Sequence, residues 1–435
     1  MPRTAWILAL VSLLAVPLAA QRPTQVTLRE AIALAARHDP NVVQAQGGFR
    51  SAGATVRSAK GAYLPDLSAN ASGGSSFSDG PSRADPITGE VLPGGATSKS
   101  VGMGLSASLD IFDGFRREAD VRAARGREDQ AEATLTEALA QSALQVSTEF
   151  FNALSSRELV AVRQETVRRG EEQLLVAVAK LVTRAANVAD SLRAVVQLGE
   201  ARLQLVSEEA RLASSELNLA RRLGVPGRVV ARSDSSLVVP GAAIDSAALL
   251  VEALARAPSV QSAEASVRAA QAAVSAAKSA YWPRLVLSGS YQFAGNDRTD
   301  YELFNNRSIQ LGVSWPLFNR FQREEQVVRQ QVALDTERAR LADARREVES
   351  RLSGQFAGLE AARQRIELTR LSVDAARADV TIALERYRLG AIGIVDLNTA
   401  QSGLTRAEES AVSARFEYLR ARAEIEAILG RPLQD

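Results

Sequence analysis

The chain contains no cysteine, one histidine, only four lysines among its 52 basic residues, and no run of 18 or more apolar residues beyond its first twenty positions. Each shortage excludes something. Without cysteine there is neither a disulfide framework nor a lipid anchor on an N-terminal cysteine. One histidine, His38, with no cysteine and no clustered carboxylates speaks against a transition-metal site and against a nucleophilic triad. The missing apolar run excludes a transmembrane helix. Charge is close to balanced, at a formal +2. Arg and Glu alternate along the helical stretches as solvated faces do, so no nucleic-acid partner is expected. Two catalytic look-alikes fail on context. Ser275-Ala276-Ala277-Lys278 matches S-x-x-K but sits mid-helix with no S-D-N or K-T-G after it. Gly102-Met103-Gly104 lies on a strand with no helix following, so it is no dinucleotide loop. Neither an enzyme nor a cofactor is expected.

What is present is a duplication. A shift of 206 residues lays Phe318–Pro432 on Phe112–Pro226 without a gap, so Phe356 meets Phe150 and Asp396 meets Asp190. A shift of 218 lays Tyr281-Trp282-Pro283 on Tyr63-Leu64-Pro65 and Ala257-Pro258 on Asp39-Pro40. One unit is written twice, and His38, opposite Arg256, reads as a helix-end surface residue. Residues 1–20 stand apart: Arg3, the apolar stretch Trp6–Leu14 and Leu18-Ala19-Ala20 read as an export signal. The expected organisation is a signal peptide at 1–20, a first repeat at 21–226, a linker at 227–244 and a second repeat at 245–435. Strand hairpins are expected at about 66–112 and 284–318, and helical hairpins at about 115–222 and 321–429.

Periodicity supplies the elements. Gln25–Arg37 reads as a short helix with Thr27 as N-cap, and Asn41–Tyr63 as a second helix rich in small residues. Period two marks four strands: Leu67–Phe77, Ser100–Asp110, Arg284–Ala294 and Ser308–Leu317. Each has about the ~10 residues of a tilted membrane strand. Their apolar positions predict a lipid-facing side made by Val101, Met103, Leu105, Leu285, Leu287, Tyr291, Phe293, Ile309, Leu311, Val313 and Trp315. A soluble β-subdomain is the alternative. Sevenfold spacing then marks long helices: Val327, Leu334, Leu341 and Val348, and after a four-residue step Leu352, Leu359, Ile366, Val373, Val380 and Tyr387. The earlier copy shows Val146, Ala153, Val160, Val167, Leu174 and Leu181, and the returning helix Leu198, Leu205, Leu212 and Leu219. A helix over 115–181 would be about 100 Å long, against about 50 Å for the returning one. Each repeat is therefore read as one long helix beside two short ones, with strands at one end and a helical turn at the other.

Four membrane strands leave two unpaired edges, which lipid does not tolerate, so the barrel must close by self-association. Two copies would give eight strands and three would give twelve; counting alone does not choose.

In this order, and duplicated, the motifs resemble the outer membrane efflux protein family, the TolC-like channels. The resemblance rests on Val26-Thr27-Leu28-Arg29-Glu30-Ala31, on Tyr63-Leu64-Pro65 and Tyr281-Trp282-Pro283, on Leu109-Asp110-Ile111-Phe112-Asp113-Gly114, and on Arg386–Leu397. It implies a mainly α protein with a small membrane β-barrel: a homotrimer with a 12-strand barrel in the outer membrane and a 12-helix tunnel in the periplasm. It implies docking to a periplasmic adaptor and, through it, to an inner-membrane transporter. Asp396 then stands at the position of an acidic ring in the periplasmic gate. A member of the family carries a second Asp where this chain has Thr399 and an Arg where it has Ile392, so the charge lock is expected to be thinner here. The alternative for Asp396 is a plain helix cap, with Asp190 in the same role in the other repeat. The tips Arg184, Ala185, Ala186, Asn187 and Gly390, Ala391, Gly393 are the expected adaptor contacts. Small-molecule efflux and type I protein secretion both fit, and a soluble periplasmic coiled-coil scaffold is the rival from another class.

Overall fold

The computed structural model describes residues 24–79, 81–84, 91–92, 96–183, 187–233, 245–297 and 300–433. The export-signal segment 1–20, and the tip residues Arg184, Ala185 and Ala186, lie outside them. The described residues fall into two compact units. The first comprises those of Met1–Gln46, Thr134–Val260 and Arg345–Asp435; the second comprises those of Gly47–Ala133 and Gln261–Ala344.

The chain opens with β1 (Thr24–Val26) and α1 (Leu28–His38). The helix was expected from Gln25 with Thr27 as its N-cap. Thr27 is the cap, its Oγ1 accepting from Glu30 N while the Glu30 carboxylate accepts from Thr27 N at 2.8 Å, but the residues before it form a strand. That reciprocal cap needs an extended residue at Thr27, which ends the helix there. β1 pairs in parallel with β6 (Val229–Ala231), a strand inside the expected linker. Three residues are too few for a period to show, so this pairing left no mark in the sequence.

α2 (Pro40–Gly61) leads to β2 (Asp66–Ser78); a two-residue pair, β3 (Arg83–Ala84) with β4 (Val91–Leu92), precedes β5 (Ala96–Phe112). α3 (Arg116–Val182) and α4 (Val188–Leu223) form the first helical hairpin. After β6 come α5 (Ser246–Arg256), α6 (Pro258–Lys278), β7 (Arg284–Asn296), β8 (Phe304–Ser314), α7 (Gln322–Arg388) and α8 (Ile394–Leu429). The fold is mainly helical. No described helix is long and apolar enough to cross a membrane.

The sevenfold positions do the packing. Val146, Ala153 and Val160 on α3, Leu198 and Leu219 on α4, and Leu334, Val348, Leu352, Leu359, Val373 and Tyr387 on α7 are all buried. In the first unit β6 is tied down by Glu216, whose carboxylate takes Arg157 Nη2 at 2.7 Å and Arg228 Nη2 at 2.6 Å, while Arg157 Nη1 donates to Ala231 O. Glu216 is buried, and two guanidiniums compensate its charge.

Candidate functional site

Two regions carry the expected sites. The first, in the second unit, is an antiparallel sheet in the order β2-β5-β7-β8. Its register aligns Ser68, Ser106, Ser290 and Ser308 in one row, and Asn70, Gly104, Gln292 and Asn306 in the next. Directly opposed residues share a face, and successive residues alternate faces. All even-numbered residues of the four strands therefore lie on one side until the irregularity between Asp110 and Phe112. That side is Ser, Gly, Asn and Gln over most of its length, with Ser68–Ser106 and Ser290–Ser308 hydroxyl pairs at 2.6 and 2.8 Å. Its charged groups cluster at one end, where Arg284 grips Asp110 through two hydrogen bonds at 2.8 and 3.0 Å.

The odd side is apolar. Val313, Leu285 and Phe112 form its first row, Leu311, Leu287 and Leu109 its second, and Ile309, Gly289, Ala107 and Leu67 its third. Leu105 then meets Tyr291, and Met103 meets Phe293. Ile309, Leu311, Val313, Leu105 and Met103 are all exposed in the single chain. On β8 the band is shorter than expected: Arg307 and Asn305 oppose Tyr291 and Phe293, and the Arg307 guanidinium lies 4.9 Å over the Tyr291 ring. Trp315 was expected on this face but falls past the end of β8. Pro283 has no N–H to continue the β7–β8 ladder beyond Arg284–Ser314, and the Trp315 indole turns to donate to Tyr281 O at 3.1 Å. On β5 and β7 the band spans about ten residues, roughly 24 Å high at the tilt usual for membrane strands. The outer edges of β2 and β8 have no partner among the described residues.

The second region, in the first unit, is the pair of helical turns. Gly390 takes φ +77°, and Ala391 N donates back to Arg386 O, closing α7. α8 starts at Gly393, which has no side chain to cap it; the Asp396 carboxylate accepts from Gly393 N at 3.2 Å instead. Asp396 and Thr399 are exposed, and the Thr399 hydroxyl returns to Val395 O. Ile392, expected at the gate, packs on a cluster of Ala177, Ala194, Ala383, Tyr387, Ile394, Leu397 and Ala400, as an aliphatic side chain should. The first turn is built differently. Asn187 caps α4 by accepting from Ala189 N at 3.4 Å, and Asp190 faces Arg193 at 3.7 Å. Asp190 is thus not the counterpart cap it was expected to be.

Beside these turns runs a seam between α3 and α8 that no motif or period announces. Gln173 Nε2 donates to Asn398 Oδ1 at 2.5 Å, Arg169 to Glu408 at 3.2 Å, Arg415 to Glu158 at 2.9 Å and Arg420 to Asn152 at 2.8 Å, and Arg163 forms an ion pair with Glu409 at 2.5 Å. Burial pushes the Glu158 carboxyl above its ordinary range, with Arg415 pulling the other way. At the head of the seam Lys180 donates to the Tyr387 carbonyl, its Nζ 4.3 Å from the centre of that ring. The Tyr387 hydroxyl is buried without a partner, and burial together with the Asp190 charge raises its pKa. Heptads reveal which helix faces are apolar but not which distant helix supplies the polar partners.

The outer membrane efflux protein family model matches residues 31–225 and 249–431. The chain belongs to the outer membrane efflux protein family. Among relatives of this efflux protein, the Bordetella pertussis Protein CyaE is 26% identical over 412 residues, covering 94% of this chain and 84% of that protein. The Brucella suis outer membrane efflux protein BepC is 23% identical, covering 99% and 91%. The Pseudomonas aeruginosa pyoverdine export outer membrane protein OpmQ is 26% identical, covering 76% and 70%. The fold matches the Campylobacter jejuni CmeC outer membrane channel with a TM-score of 0.78 at 16% identity, over 93% of this chain and 85% of that one. It matches the Vibrio cholerae outer membrane protein VceC with a TM-score of 0.75 at 16% identity, over 94% and 97%. The efflux protein is thus an outer-membrane channel protein of TolC-like fold, and family and fold alike are those of channels.

Proposed function

We propose that this efflux protein is a passive outer-membrane exit duct formed by three copies. In this reading the duct docks through its helical turns on a periplasmic adaptor coupled to an inner-membrane transporter. The observation that carries it is the sheet: one face apolar, the other hydroxyl and amide, with the outer edges of β2 and β8 unpaired among the described residues. In hydrocarbon those edges must be covered, and a ring does so without exposing any backbone. β2 and β8 run in opposite directions, so β8 of one copy can follow β2 of the next and preserve the antiparallel alternation. Twelve strands then come from three copies. The helices support association too. α4 leaves Leu192, Val196, Leu203 and Val206 exposed, and α7 leaves Leu368, Leu371 and Ile382 exposed, at the spacings of a second coiled-coil stripe.

The reading keeps the two repeats, 21–226 and 245–435, joined by 227–244, as the covalent halves of each protomer. It places Val101, Met103, Leu105, Leu285, Leu287, Ile309, Leu311 and Val313 toward lipid, with Tyr291 and Phe293 beside them at the interface. It gives Asp396 and Thr399 the periplasmic mouth, and the exposed Gly390, Ala391 and Gly393, with Arg184–Asn187, the adaptor. Substrate choice lies with the pump, so small-molecule efflux and protein secretion are both compatible with the duct.

The test uses the absence of cysteine. Cysteines placed on the two edges, at Ala71 and across the solvent-facing length of β8, should crosslink outer-membrane protein into a ladder that ends at three chains. A ladder ending at two, or monomers only, would overturn the trimeric duct.

A further inference from the structure

The strand-to-helix turns hold strained backbone in both repeats. Gly114 and Phe115 have φ of +70° and +66°, and their counterparts Arg320 and Phe321 have +57° and +63°. L side chains avoid this region, a bulky aromatic most of all. Each turn is fixed from within by the same device. Arg117 donates to Ile111 O and lies 4.9 Å over Tyr63; Arg323 donates to Pro316 O and Leu317 O and lies 5.0 Å over Tyr281. In the first turn the Asp113 carboxylate also accepts from Arg116 N and Arg117 N. The strained residues themselves project outward: Phe115 is 59% and Phe321 68% exposed. Around them stand further exposed apolar side chains, Leu64, Trp282, Leu317 and Phe318, with edge-on ring contacts Phe115–Trp282 and Phe318–Phe321. Arg320 is exposed too, and among the described residues no acceptor or carboxylate engages it.

Strain that recurs in both copies and exposes an aromatic each time points to what the side chain meets outside the chain. The turns adjoin the Val313–Leu285–Phe112 end of the apolar band. Aromatic rings and arginines at the rim of a membrane sheet meet the headgroup layer, rings among the upper acyl carbons and guanidiniums on phosphates.

We infer that these paired turns form a phospholipid-binding collar, in which Phe115 and Phe321 seat in the interfacial layer and Arg320 holds a headgroup phosphate, with a preference for anionic lipid. Repeat one has Gly114 where repeat two has Arg320, so this arginine stands at only one of the two turns. The inference rests on the outer-membrane reading above.

Trp282 and Trp315, the only tryptophans beyond the first twenty residues, both lie at the turns and report on them. The intact protein is reconstituted in vesicles of phosphatidylethanolamine with a minor share of phosphatidylglycerol. Its fluorescence is quenched with lipids brominated either near the carbonyls or near the chain ends, and retained lipid is counted by native mass spectrometry. Stronger quenching by the shallow bromines is expected. Arg320→Gln should retain about fivefold less phosphatidylglycerol, the effect of one arginine at a lipid surface, with channel conductance unchanged. Phe321→Gly, which relieves the backbone, should melt no lower in detergent yet show weaker shallow quenching. Inserted, conducting protein whose tryptophans escape both quenchers would mean that another copy or the periplasm covers the collar, and would overturn the inference alone. So would equal lipid retention by Arg320→Gln. Protein that neither inserts nor conducts would overturn the membrane reading beneath it.

Discussion

Lys180 ties the last turn of α7 to α3 beside the two helical turns. Its ammonium donates to the last-turn carbonyl of α7, at Tyr387, and stacks on the same ring. Replacing it by Met keeps a straight side chain beside the Tyr387 ring and removes the charge with its N–H donors. A half-desolvated cation–π contact contributes about 1–2 kcal/mol, and a hydrogen bond from a charged donor about 1.5–3 kcal/mol. Allowing for their overlap at one atom, about 3 kcal/mol should be lost from the arrangement that holds α3 against α7. At about 1.4 kcal/mol per tenfold, that shifts the population of any separated arrangement on the order of 100-fold. Planar-bilayer recording of purified Lys180→Met is the direct assay: it should dwell far longer in high-conductance states than the parent. Lys180→Arg, which keeps a charged donor and stacks on aromatics, should lie close to the parent. Identical dwell distributions for parent and Lys180→Met would refute the view that this contact holds α3 against α7.

Three further outcomes are expected. Asp396→Ala removes the acceptor of Gly393 N, costing about 1 kcal/mol of cap, and should also reduce cation selectivity and divalent block in single-channel recordings; a stability loss with unaltered selectivity would leave Asp396 as a cap only. Gly114→Ala places a methyl 2.6 Å from Ser279 O at a φ of +70°, and should cost about 3 kcal/mol or more, seen as a lower Tm in detergent; an unchanged Tm would show that the turn readily relaxes. The bidentate Arg431 contacts, at 2.6 and 2.8 Å, hold the Glu252 carboxyl below its ordinary 4.5. A lowered folded pKa means stability that is present above the ordinary value and lost as pH falls through the lowered one. The Tm gap between parent and Arg431→Gln should therefore be widest at neutral pH and close on acidification below the ordinary value; a constant gap would contradict it.

The sequence disclosed what repeats and what has a period. The two-residue alternation found all four sheet strands, and sevenfold spacing found the long helices to within a residue or two at their ends. Leu352 and Tyr387 were legible as core residues because each recurs on a heptad. Features made by single distant partners were not legible. Gln173 and Asn398 show nothing in sequence that says they meet, and β1 with β6 is shorter than any period. Trp315 was misplaced because alternation runs on past Ser314, whereas the ladder stops where Pro283 has no hydrogen to give. Asp190 was misjudged by symmetry: duplication preserves the position, but Asn187 took over the capping in one copy and left Asp396 to it in the other.

The serine rows have a consequence for the whole export apparatus. From the Ser68 row to the Ser100–Asn296 row, the even side of the sheet bears no formal charge. In the proposed ring of three copies this face would line the bore, and a bore so lined is electrically indifferent to its freight along that length.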